Sequence, residues 1–188
     1  TYVTPATFYE EGTDNLVFGF RLNVKPDNKI TIINDHRLWI SGYNNSGTYK
    51  GDTICFSPGS QLDMESYSQL NACRGGKIID SNAAITWNPN AFMRICEFSE
   101  IVFSLNNNVV NNGGHIEVET NGKFKVCDNS TVTFDGAGTY LKLNPNSIVQ
   151  LGENAKIEFK NGAYLIANGS AISSAQGSHG WGIILENA

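Results

Sequence analysis

Residues 116–172 read IEVETNGKFKVCDNSTVTFDGAGTYLKLNPNSIVQLGENAKIEFKNGAYLIANGSAI, and this stretch decides the fold. One phrase recurs about every eight residues: two apolar residues at alternate positions, a polar spacer, then a turn-forming pair. The apolar pairs are Ile116/Val118, Phe124/Val126, Val132/Phe134, Leu141/Leu143, Val149/Leu151, Ile157/Phe159 and Leu165/Ala167. Between the members of the first six pairs fall Glu117, Lys125, Thr133, Lys142, Gln150 and Glu158. Each run therefore has one face to bury and one to wet, the pattern of a strand. The runs are separated by Asn121-Gly122, Asp128-Asn129, Asp135-Gly136, Pro145-Asn146, Glu153-Asn154, Asn161-Gly162 and Asn168-Gly169, mostly residues that tolerate positive φ or bond their own backbone.

Asn-Gly between alternating runs is also the strongest short hairpin signal. A meander of seven such strands, however, would present an apolar face needing a cover, and the chain holds no amphipathic helix long enough to supply one. A coil covers itself. With three octads per turn, residues 24 or 25 apart stack, and the columns become Ile116/Leu141/Leu165, Val118/Leu143/Ala167, Phe124/Val149/Ser173, Val132/Ile157/Trp181 and Phe134/Phe159/Ile183. All but one stay apolar. Asn121 then falls under Asn146 and Asn129 under Asn154, where parallel in-register strands let amides form ladders. The expected fold is an all-β parallel β-helix, a β-solenoid with three octads per coil in the C-terminal half; a β-sandwich or jelly roll is the alternative.

Residues 1–112 carry strand-like runs without the octad, among them 16–20, 29–33, 37–40, 53–56, 77–79, 84–87 and 100–105. Leu62 to Leu70 leaves room for one or two helical turns. The expected organisation is one continuous domain: irregular N-terminal coils and cap over 1–112, regular octad coils over 113–188. A solenoid's first coil needs capping because open strand edges invite association. Trp181, Ile183 and Leu185 run to Ala188 without a polar cap, so the expectation there is self-association or continuation of the native chain. Thr1 is not an initiator, which points to a processed or excised piece.

The 188 residues suffice for one substantial core. Net charge is −5 with charges scattered along the outward positions, which disfavours nucleic acid as a partner, since phosphate binding needs a concentrated basic footprint. Charged residues are only 16% against 19 glycines, a balance suited to short strands and corners. No apolar run approaches the ~20 residues of a membrane helix, so no membrane insertion is expected. Cys55, Cys73, Cys96 and Cys127 lack the paired spacing of a zinc site, and neither metal nor other cofactor is expected. Cys73 and Cys96 lie about one coil apart and are the disulfide candidates; four buried thiols are the alternative. The sequons at Asn44, Asn129 and Asn168 are expected by chance in an Asn-rich chain.

The octads over Ala155 to Phe159 and Asn161 to Ile166, followed by Trp181, Gly182 and Ile183, resemble repeats of secreted right-handed β-helix proteins carried as type IX secretion cargo. The resemblance covers roughly the last third of the chain. It implies a right-handed winding and an extracellular or cell-surface location. Members of that family usually carry a C-terminal sorting domain, which this sequence does not contain. The architecture itself hosts lyases, hydrolases, adhesins and inert spacers alike.

A polysaccharide-cleaving β-helix needs clustered carboxylates or Ca²⁺-binding acids beside a base. Glu117 and Glu119 lie outward on one strand with His115, and Glu158 lies on a later rung between Lys156 and Lys160, a pattern typical of a solvated strand face. Gly177-Ser178-His179-Gly180 faintly matches the Gly-His-Gly of polygalacturonase-like hydrolases, without the Asp-Asp and Arg-x-Lys that complete such a site. No catalytic residue is assigned. Outward Tyr140 and Tyr164, with Tyr43, Tyr49 or Trp87 from loops, are the ligand-binding candidates for a glycan, although stacked aromatics also simply stabilise neighbouring strands. The expected function is thus a non-catalytic extracellular or surface scaffold, adhesin or filament-forming module; the alternative is a polysaccharide-binding or polysaccharide-cleaving β-helix.

Overall fold

The computed structural model describes residues 21–45, 48–105, 107–174, 180 and 182–186, and among these every regular element is a strand. Three strands make one coil, and strands pair in parallel with their counterparts one coil earlier and later, as β15 does with β12 and β18. The first face stacks β1 (Arg21–Val24), β6 (Thr53–Phe56), β9 (Lys77–Ser81), β12 (Glu100–Ser104), β15 (Lys123–Val126), β18 (Ile148–Leu151) and β21 (Ala171–Ser174) into one seven-stranded sheet. The third stacks β3 (Arg37–Ser41), β8 (Gln69–Cys73), β11 (Phe92–Ile95), β14 (His115–Val118), β17 (Tyr140–Leu143) and β20 (Tyr164–Ala167). The second face is broken in two: β2 (Lys29–Ile32), β7 (Gln61–Met64) and β10 (Ala84–Trp87) form one sheet, and β13 (Asn107–Val110), β16 (Thr131–Asp135), β19 (Lys156–Lys160) and β22 (Gly182–Glu186) another.

The octad works because each corner is a tight turn whose third residue takes positive φ and whose fourth is small. Asn121, Asn129, Asn146, Asn154 and Asn161 have φ of 58, 55, 61, 52 and 53°. Asparagine tolerates that region better than most residues, which explains its abundance at the corners. The next residue tucks inward, so that Ser130, Ser147 and Ala155 are wholly buried, as is Ala163 after the Asn161-Gly162 turn, where both middle residues have positive φ. Its N–H closes the turn onto the carbonyl three residues back, as in Ala155 to Gly152 at 3.2 Å and Ala163 to Lys160 at 3.0 Å. Where that small residue is Gly76, an added Cβ would run into the Ile40 carbonyl of the coil beneath. Only residues without bulk fit where coils approach so closely.

Inside, the alternate apolar residues stack into columns. Ile116 pairs with Leu141 and Leu141 with Leu165, and Val118 follows through Leu143 to Ala167, as the spacing predicts. Phe134 and Phe159 stack with centroids 5.1 Å apart and planes 13° from parallel, worth about 0.5–1.5 kcal/mol beyond area burial. Three columns end differently from expectation. Val149 pairs with Ile172 rather than Ser173, Ile157 with Ile183 rather than Trp181, and Phe159 with Leu185 rather than Ile183. The last two slip by two residues because more residues separate β21 from β22 than separate β18 from β19. Trp181 itself lies outside the described residues, as do 16–20.

The described part of residues 1–112 is built of the same coils. Its longest departure is one insertion: the antiparallel hairpin β4 (Tyr43–Asn45) and β5 (Thr48–Lys50) sits in the corner between β3 and β6. Register accordingly jumps from Arg21 to Thr53 in the first coil and only from Thr53 to Lys77 in the next. The stretch from Leu62 to Leu70 holds no helical turn; it is strand β7, a corner at Ser66-Tyr67, and the start of β8.

Candidate functional site

Among the described residues, two places that bring chemistry-bearing side chains together bear on function. The first is the outer surface of the third face. The first outward position of four successive strands is aromatic or imidazole: Phe92, His115, Tyr140 and Tyr164. Parallel register places them one above another. The rings of Phe92 and His115 stack at 4.8 Å and 9°, those of His115 and Tyr140 at 4.3 Å and 13°, and those of Tyr140 and Tyr164 at 5.3 Å and 22°. The Arg94 guanidinium lies 5.5 Å from the Phe92 centroid. The inner rings therefore spend both faces on each other. A sugar stacking on a π-face would find such a face only at the end of the ladder.

Beside the rings runs a second column, Arg94, Glu117 and Lys142. Glu117 is held on both sides, by Arg94 Nη2 at 3.5 Å and Lys142 Nζ at 3.5 Å. Glu119, one corner on, faces Arg94 Nε at 3.6 Å and accepts from Asn144 Nδ2 at 2.8 Å. Burial in the stack pushes the His115 imidazole below its usual value, against the raising pull of Glu117 and the Gly113 backbone, and so keeps it neutral near pH 7. Burial, followed by the Glu117 charge, lifts the Tyr140 phenol to about 12. Glu158 stands on another face, on β19, where Lys160 Nζ meets it at 2.8 Å and Thr133 Oγ1 donates to it at 3.4 Å. Glu117 and Glu158 thus do not flank one groove, as a pair of glycosidase carboxylates must.

The other sequence candidates fall as follows. The sulfurs of Cys73 and Cys96 are bonded across one coil, with Cα atoms 4.6 Å apart. Cys55 is buried and Cys127 half-buried, both as thiols, and burial raises that of Cys127. Trp87 is no loop aromatic but an interior residue of β10, 1% exposed. The side chains of Tyr43 and Tyr49, together with Gly177, Ser178 and His179, lie outside the described residues. Of the two corner pairs, Asn154 Nδ2 donates to Asn129 Oδ1 at 3.1 Å, whereas Asn121 Nδ2 turns to Glu97 Oε1 of the preceding coil at 3.4 Å. Among the described residues no three His, Cys, Asp or Glu side chains converge as metal ligands would.

The second place is one that octad reading did not reach. Where β10 and β13 fail to pair, the wall of the second face opens into a cleft of about 560 Å³, lined by Gln61, Asn82, Ile85, Asn108, Val109 and Asn111 among others. Here two inward positions are polar. Asp80 interrupts the column Val24, Phe56, Phe103 and Val126 and is 1% exposed. Its Oδ1 accepts the Ala83 N–H at 2.8 Å while Oδ2 has no partner. Asn108 holds the register position of Val132 and Ile157, is 6% exposed, and its Nδ2 has no partner either. Desolvation raises the Asp80 carboxyl to about 7, the Ala83 hydrogen bond opposing it. Register would have exposed both residues as polar breaks, had the coils been followed back through residues 77–110. No protein-family model, curated protein or solved structure matches the chain.

Proposed function

We propose that the chain is a non-catalytic β-solenoid module of an extracellular or cell-surface protein, acting as a stiff scaffold or spacer in an adhesin or filament. The observation that carries this reading is the seven-stranded first face, in which every coil is hydrogen-bonded in register to the next. At about 4.8 Å per strand such a stack sets its ends roughly 30 Å apart. Bending it would break main-chain bonds and interior columns together, so stiffness follows from the coil itself. The Cys73–Cys96 bridge supports an oxidising compartment, where disulfides persist. The resemblance of the octads to type IX secretion cargo agrees with that location.

The test joins two measurements on the purified chain. A panel of neutral and acidic polysaccharides is incubated with it and analysed for new reducing ends and unsaturated products, and small-angle scattering is recorded over a concentration series. The reading expects no products and a rigid particle whose dimensions fit the coil stack. Product formation, or scattering from a flexible chain, overturns it.

A further inference from the structure

The cleft at the break in the second face is a better binding site than the ring ladder. Its polar lining consists of the amides of Gln61, Asn82, Asn108 and Asn111, with no ionised side chain, and Ile85 and Val109 supply an apolar patch. A neutral lining gives neither anion nor cation a counter-charge. About 560 Å³ is within the ordinary size of a small-ligand site. The floor is unfinished in one respect: Asn108 replaces the apolar residue its column calls for, and its buried Nδ2 lacks an acceptor. A buried amide donor without a partner is destabilising, and a ligand acceptor would relieve it.

Asp80 explains how the cleft keeps its shape. Through its hydrogen bond to Ala83 N–H it holds the Asn82-Ala83 corner, while Ser104 Oγ donates to the Asp80 carbonyl at 3.2 Å from the next coil. The corner is thereby tied from within, and Asn82, with φ of 67°, stands at its rim.

We infer that this cleft binds a neutral saccharide, with the side-chain amides of Gln61, Asn82, Asn108 and Asn111 reading its hydroxyls and Ile85 and Val109 meeting a C–H face. A side-chain amide presents its C=O and NH₂ next to each other, a spacing that two vicinal hydroxyls match as donor and acceptor. Binding here requires no turnover and is independent of the scaffold reading.

The test is titration of the isotope-labelled full chain with cellohexaose, xylohexaose, mannohexaose, laminarihexaose and, as the acidic comparison, oligogalacturonate. At least one neutral probe is expected to move the amide signals of Gln61, Asn82, Asn108 and Asn111 saturably. Asn108→Leu, which restores the apolar column, should weaken that binding tenfold or more without lowering the thermal midpoint. Should that variant not fold, Gln61→Ala at the exposed rim decides, with a loss of threefold or more expected. The proposal is overturned if no neutral probe moves these signals, if the shifts gather at Tyr140 and Tyr164 instead, if only oligogalacturonate binds, or if the folded variants bind as the parent does.

Discussion

At the scale of single residues, Asp80 is the most consequential departure from the pattern. An inward carboxyl in an apolar column favours its protonated form, because burial desolvates the charge and only the Ala83 N–H at Oδ1 opposes that, Oδ2 having no partner. The folded chain holds that proton up to about pH 7, whereas the unfolded chain releases it near the ordinary 3.8. Unfolding therefore releases a proton between those values. The stability contribution is greatest below about pH 4, falls as pH rises through the window, and is level above about 7. Three pH units correspond to a fall of about 4 kcal/mol, taking roughly 1.4 kcal/mol per unit. Asp80→Asn keeps the acceptor for Ala83 N–H and removes the ionisation. Urea unfolding at pH 4.5 and 8 should find the parent markedly weaker at the higher pH and the variant nearly level; equal slopes for the two would show that the carboxyl is hydrated after all.

At the scale of elements, the coil is stabilised by what one strand lays on the next. Tyr140 sits between two rings of the third-face ladder, and the desolvation that lowers His115 comes with that packing. Tyr140→Ala should cost about 1–2 kcal/mol, as lost ring contacts on a strand face do, and should raise the His115 value toward 6.5 as water reaches the imidazole. A proton-NMR titration of His115 in both chains measures it, and an unmoved or lowered value would place the desolvation elsewhere. Between β8 and the corner after β11, the Cys73–Cys96 bridge ties two coils that main-chain bonds already hold. Its gain lies in restricting the unfolded chain, about 2–4 kcal/mol for a loop of this size. Urea midpoints with and without dithiothreitol, and for the Cys73→Ala, Cys96→Ala double variant, should fall together. Unchanged midpoints would mean the sulfurs count only as small hydrophobes.

At the scale of the whole molecule, the sequence was legible wherever the period stayed near eight. Ile116/Leu141/Leu165 could be aligned from spacing alone because corners such as Asn121-Gly122 and Asn146-Ser147 add no residues. The same logic failed where a corner lengthened: at the β4–β5 hairpin, which hid the coils before Thr53, and before β22, which shifted Ile183 and Leu185 by two places. Asp80 and Asn108 were invisible for a related reason, since a polar residue is a break only once its column is known. The last described strands also leave apolar side chains exposed. Val149 and Phe159 are wholly buried because another strand lies over each, whereas their partners Ile172 and Leu185, on β21 and β22, are 40% and 65% exposed with no strand beyond them among the described residues. Parallel edges carrying apolar side chains are templates for another chain. Leu185→Glu should therefore reduce self-association of the isolated chain without disturbing its fold, because a residue so exposed contributes little to the core. Light scattering across a concentration series measures this. An average mass that rises with concentration in the parent and stays flat in the variant is the expected result, whereas equal masses at every concentration would show that this edge is not where copies meet.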